Sequence, residues 1–291
     1  MLFRFGKSRV NSYLGWQGRM ADRNRHVNKS LQGVFLSFLL AWACSGCQSA
    51  GRGEDAPHLS IAVGSCVEKL AVALIEEYNR IYPQEISLKV AVVPDSETRA
   101  TLEQNQASAA LHWEEPASEN WSARIGWTGI VFVVHPDNPL EDLSGLQAEK
   151  IFLGWIDRWE DVGGSSGEIH PIAYSPEAGL EQLFEKTVLG GSRLIPGAIL
   201  APSIDVLPVA VLGDSLSIGF VMGFDQTPEI HSLSLDGIGA EYPNFLSRAY
   251  PFSIPIFLEA KDPVSPEIRQ FAGWIQSVSG QTVLMQLQQQ E

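Results

Sequence analysis

Residues 59–113 alternate between apolar runs of strand length and segments with helical spacing, and that alternation restricts the fold more than any single motif. Residues 59–63 (LSIAV) read as a strand entering the Gly64-Ser65 turn. Across residues 67–82 the apolar positions are Val67, Leu70, Ala71, Leu74, Ile75 and Tyr78, one face of an amphipathic helix. Ser65 stands at its start as a candidate N-cap, and Pro83 ends it. Residues 86–93 (ISLKVAVV) are a second strand, residues 96–105 a second helix and residues 107–113 (ASAALHW) a short third strand. Parallel neighbours need a crossover, usually helical, so this order predicts an open α/β sheet. Ligands of such sheets sit beyond the carboxyl ends of the strands, against helix N-termini.

The rest of the chain continues the pattern. Residues 130–134 are apolar and β-branched, as a buried strand requires, and His-Pro-Asp-Asn-Pro stops them. Asp142 or Ser144 can cap a short helix whose stripe is Leu146, Ile151 and Phe152. A further helix is expected at 177–188, strands at 216–222, 230–235 and 254–259, and one final helix at 266–288. The Gly-, Pro- and Ser-rich residues 190–207 are expected as loop. Trp155, Trp159 and Trp274 are expected to pack in the core or between elements, and His135 and His231 stand alone, without the partners a metal site needs.

Charge is unevenly distributed. Residues 1–47 hold seven Lys/Arg and one acid, a net of +6, so residues 48–291 carry −20 of the chain's −14. A body this acidic excludes nucleic acid, whose phosphates must be neutralised by Lys and Arg. It also excludes anion capture by bulk positive potential, although helix N-termini and local hydrogen bonds still hold anions. Only Cys66 lies in the body, which leaves no disulfide framework. Residues 1–47 are basic, then apolar (VFLSFLLAWA), then end in Cys44-Ser45-Gly46-Cys47, the layout of a bacterial secretion signal. The ending resembles a lipobox, which implies lipidation at Cys47; Met1 and Met20 both stand as starts. Residues 48–57 (QSAGRGEDAP) suit a flexible tether.

An ordered set of short motifs then follows: Asn138-Pro139, Leu143-Ser144, Ile151-Phe152-Leu153-Gly154, Trp159 and Gly163-Gly164. It continues through residues 217–221 (SIGFV), Tyr250-Pro251-Phe252 and Ser279-Gly280-Gln281. This order, over roughly residues 58–287, resembles the phosphate-type periplasmic solute-binding proteins of ABC importers. The resemblance implies a type II periplasmic-binding-protein-like fold, two α/β lobes joined by a two-strand hinge. Lobe I is then 58–131 plus 224–291, and lobe II is 132–223.

In that family three strand-to-helix turns converge on the ligand. The matching positions are Ser65 and Cys66 in the first turn, Ser96 and Thr98 in the second, and Gly179 and Leu180 in the third, with His112 and Trp113 at the end of the third strand. Several of the family's donors are missing. Cys66 replaces a hydroxyl, Asp95 and Glu97 add negative charge where an anion would rest, and Tyr174 or a neighbour occupies the slot of a family arginine. Ser108 stands where the family has an acid. Trp113 and Tyr174 would add aromatic surface suited to a less charged solute.

No nucleophile elbow, His-Glu-x-x-His, phosphate loop or paired Cys/His set is present, so no enzyme is expected. The resemblance implies a monomeric receptor, tethered by lipid outside the cytoplasm, that closes over a small-molecule or oxyanion ligand and delivers it to an ABC permease. No cofactor or metal is expected. The alternative is a receptor-like sensing or interaction domain with a degenerate pocket.

Overall fold

The computed structural model describes residues 58–83, 87–176 and 179–289. The signal, the lipobox with Cys47 and the tether all lie outside them. The chain runs β1 (His58–Gly64), α1 (Glu68–Ile81), β2 (Ser87–Val93), α2 (Thr98–Glu103), β3 (Ala109–His112) and β4 (Trp121–Val134). Next come β5 (Asp142–Leu143), α3 (Gly145–Phe152), β6 (His170–Tyr174), α4 (Leu180–Thr187), β7 (Ile199–Ala201), α5 (Val206–Leu212) and β8 (Ser217–Met222). The remaining elements are β9 (His231–Ser232), β10 (Ser234–Leu235), α6 (Tyr242–Ser247), β11 (Ser253–Ala260), α7 (Pro266–Ile275) and α8 (Val278–Leu287).

The main sheet has the order β2-β1-β3-β11-β4-β8-β6-β7, with β9 beside β4. β1 pairs in parallel with β2 and with β3, as the opening alternation predicts. Residues Ile61, Ala62 and Val63 are wholly buried, because helices cover both faces of a parallel sheet. The expected stripe of α1, from Val67 to Tyr78, is buried against it. Ser144 caps α3 through a capping box: its Oγ accepts from Gln147 N at 3.1 Å while Gln147 Oε1 accepts from Ser144 N at 2.8 Å.

β4 is the spine of the structure and is far longer than the predicted residues 130–134. Residues 121–129 pair with β11, and residues 130–134 pair with β8. Two glycines dilute its apolar signal. Gly129 is there because Phe245 packs where its side chain would be. Around the β8 side, Phe152 and Phe184 pack on Phe132, and Phe220 packs on both of them, stacked on Phe184 at 3.7 Å.

Four further expectations are corrected. Residues 190–207 are not all loop: they contain β7 and the start of α5, which was not foreseen. Residues 230–235 form two short strands, which pair with Val133–Val134 and Asp142–Leu143. The last helix is two, α7 and α8, because Gly280 packs against the backbone of Ile275 and Ser277 Oγ donates to Trp274 O at 2.6 Å. Trp155 is exposed, whereas Trp159 is buried and donates Nε1–H to Leu216 O at 2.9 Å.

Candidate functional site

Three strand-to-helix turns meet at one carboxylate. β1 and β2 run side by side with Gly64 opposite Val93, so the turns that follow them are neighbours. The first turn is a short 3-10 segment, Ser65–Val67, and the second is another, Asp95–Glu97. Asp95 reaches from the second turn into the first. Its Oδ2 accepts from Ser65 Oγ at 2.6 Å and its Oδ1 accepts from Cys66 Sγ at 2.6 Å.

The third turn, which follows β6, closes the arrangement. Gly179 is the N-cap of α4 at φ +79°, a left-handed conformation that favours glycine. A Cβ there would fall on Asp95 Oδ2 and lie 2.7 Å from Ser65 Oγ, and a Cβ on Gly64 would fall on Asp95 Oδ1. The carboxylate is therefore caged between two glycine backbones and two donors. Burial, then the adjacent Asp95 charge, raise the Cys66 thiol well above its ordinary pKa, so it stays protonated and donates. Beside the carboxylate is a cleft of about 360 Å³ lined by Pro94, Asp95, Ser96, Pro176, Gly179 and Gln182.

The candidate residues thus separate. Ser65, Cys66, Ser96 and Gly179 surround or adjoin the Asp95 carboxylate. Ser65 is not a helix cap: α1 begins at Glu68 with no side-chain cap, and the Ser65 hydroxyl serves Asp95 instead. Thr98 is buried, with Oγ1 turned to Pro94 O at 3.4 Å. Leu180 is a core side chain, so only its backbone can face the turn. His112 points away, its Nε2 lying 2.7 Å from Glu259 Oε2. Glu259 also accepts from Asn120 Nδ2 at 2.7 Å and Ala117 N at 3.0 Å. Burial alone would raise the Glu259 pKa, but these bonds outweigh it and hold the group at about 2. Trp113 is half-buried, with Lys186 Nζ 5.1 Å from its ring centre. Tyr174 adds no aromatic surface to the cleft: it is wholly buried, edge-on to Phe220 at 5.3 Å.

A second cleft, of about 420 Å³, is also bordered by Ser65 and includes Lys69, Asp205, Phe224 and Asp225. Lys69 Nζ donates to Phe224 O at 2.6 Å and lies 3.5 Å from Asp225 Oδ1. Burial raises the Asp225 pKa to about 6 despite Lys69. Nothing in the sequence singles out Asp225, which follows a core strand and meets Lys69 only in the fold. Among the described residues, no group of three or more His, Cys, Asp and Glu is placed to hold a metal ion.

Comparison with known proteins gives the family and the fold. The phosphate-binding protein PstS of Bacillus subtilis (strain 168) is 26% identical over 245 residues, covering 79% of this chain and 81% of the relative. A solved ABC-type phosphate transport receptor from Vibrio cholerae superposes with a TM-score of 0.69 at 19% identity, covering 79% of this chain and 98% of the other. A putative phosphate ABC transporter substrate-binding protein from Clostridium perfringens, solved with bound phosphate, gives 0.70 at 20% identity with the same coverages. A PBP superfamily domain model matches residues 48–279. The chain belongs to the PBP superfamily, the periplasmic-binding-protein fold, and resembles its PstS-like members.

Proposed function

We propose that the chain is an extracytoplasmic solute receptor of an ABC importer that takes a small oxyanion of the phosphate class where the turns after β1, β2 and β6 meet. Membership of this superfamily makes it a binding protein rather than a catalyst. The observation that carries the reading is the seat of Asp95: the junction already holds an oxyanion group, its own carboxylate, on a hydroxyl and a thiol donor. The relatives named above supply phosphate as the first candidate ligand.

The mechanism is closure of two lobes, residues 58–131 with 224–291 and residues 132–223. β4 and the segment that follows β8 carry the chain between them, so hinge bending there opens and shuts the crevice. Gly179 and Gln182 belong to one lobe, and Ser65, Asp95 and Ser96 to the other. Closing brings donors from both onto one ligand and excludes water, which strengthens each bond. Lipid at Cys47 and the tether at 48–57 would keep the receptor near its permease.

A second reading is a receptor for a less charged solute. It is favoured by the acidic cleft at Asp205 and Asp225, where Lys69 is already engaged by Phe224 O. Thermal-shift screening against phosphate, sulfate, amino acids and sugars separates the two. A ligand at about 100 times its Kd stabilises by roughly 2.7 kcal/mol. A shift with an oxyanion supports the first reading; a shift only with neutral or cationic solutes replaces it with the second.

A further inference from the structure

The Asp95 carboxylate occupies the space between the three turns, and this has a consequence for any anionic ligand. Both of its oxygens are engaged, one by Ser65 and one by Cys66. It fits there because positions 64 and 179 are glycine, where a Cβ would fall on one of its oxygens. An oxyanion that used the Ser65 and Cys66 donors would have to take them from this carboxylate.

Two anions share such a junction only with a cation or a shared proton between them, because like charges in contact repel strongly where water is scarce, and both Asp95 oxygens already accept from Ser65 and Cys66. The helices that follow the turns offer no uncommitted cation. Lys69 is bonded to Phe224 O and paired with Asp225, and Arg80 is paired with Glu77. Arg99 is bonded to Glu115 O and lies near Glu114 and Glu259, and Lys186 lies over Trp113. These four are all the Lys and Arg of α1, α2 and α4.

We propose that Asp95 is a resident anion that occupies the oxyanion seat, so that the solute binds only by displacing its carboxylate, and that this residue sets the receptor's affinity. The inference rests on the reading of this junction as the ligand site. Ligand affinity is then reduced by the stability of the Ser65–Asp95–Cys66 contact, which must break before the seat is vacant. Residue 95 becomes the specificity-determining position: a small neutral side chain leaves the same donors to the solute.

The test is calorimetric titration of the full-length protein and its Asp95→Ser and Asp95→Asn variants with inorganic phosphate, and with sulfate as a second probe. Asp95→Ser is expected to bind phosphate at least tenfold more tightly than the parent. Asp95→Asn, which removes the charge but keeps the shape, is expected to fall between them and guards against misfolding of the serine variant. Equal or weaker binding by both variants, with a parent that does bind, overturns the inference while leaving the oxyanion reading intact. Silence of all three proteins towards both anions overturns that reading, and the inference with it.

Discussion

Ser65 Oγ donates to Asp95 Oδ2 at 2.6 Å, joining residues 30 positions apart in the chain. The contact exists because β1 and β2 are parallel and in register, so the turns at their carboxyl ends face the same way. An open α/β sheet places its ligand at such ends. In this chain the Asp95 side chain occupies that end of the sheet.

Gly179 should tolerate no side chain. Gly179→Ala meets a φ of +79° and the Asp95 carboxylate together. A loss of about 1–3 kcal/mol is expected in urea unfolding, from backbone strain and from displacing the carboxylate. In an Asp95→Gly background part of that loss should vanish, with a coupling energy of about 1 kcal/mol between the two positions. Strict additivity would show that the two residues do not touch.

His112 should behave as a structural partner of Glu259. His112→Ala leaves a buried carboxylate short of one partner and is expected to cost about 3 kcal/mol of stability. Affinity for phosphate should stay within about twofold, because the ring faces Glu259 and not the junction. Intact stability with lost affinity would return His112 to the ligand site.

Stability should peak near pH 4–5. Asp225 has a pKa raised from 3.8 to about 6, so the folded protein holds this proton more tightly and stability falls as pH rises through that window. The loss is at most about 3 kcal/mol. Glu259 has a pKa lowered from 4.5 to about 2, so its contribution is complete above 4.5 and is lost as pH falls towards 2. Asp225→Asn should flatten the slope above pH 4 in a series of unfolding curves and leave the acid limb in place. An unchanged slope would assign the alkaline limb to other groups.

Lys186 and Trp113 belong to different proposed lobes and meet at 5.1 Å. Their attraction is made when the lobes are together, and it is worth about 0.5–1 kcal/mol at an exposed site. Lys186→Ala is therefore expected to weaken phosphate binding about threefold in calorimetric titration. An unchanged Kd would mean that the pair forms equally in the open and closed forms.

Local rules made much of this fold readable in advance. The stripe from Val67 to Tyr78 follows from helical period, and the cap of α3 was narrowed to Asp142 or Ser144 by side-chain chemistry, both of which operate over a few residues. β4 was underestimated because Arg124, Gly126 and Gly129 interrupt its apolar run, and only partners distant in sequence, such as Phe245 and Leu284, explain the glycines. The division of α7 from α8 likewise depends on a close approach of Gly280 to Ile275 that no period records. At the site, Ser65, Cys66, Ser96 and Gly179 were legible as turn positions, and the negative charge of Asp95 was legible as an obstacle to an anion. That its carboxylate is the common partner of the first turn was not, since it depends on strand register. The partner of His112 was not legible either, because Glu259 lies 147 positions away.

The most direct measurement is a crystal structure of the protein grown with phosphate at saturating concentration. The expected result is a tetrahedral anion at the junction of Ser65, Ser96 and Gly179, with the Asp95 carboxylate turned out of its contact with Ser65 Oγ. An anion bound elsewhere, or Asp95 still bonded to Ser65 and Cys66 with phosphate present at many times its Kd, would contradict the assignment of this junction as the seat.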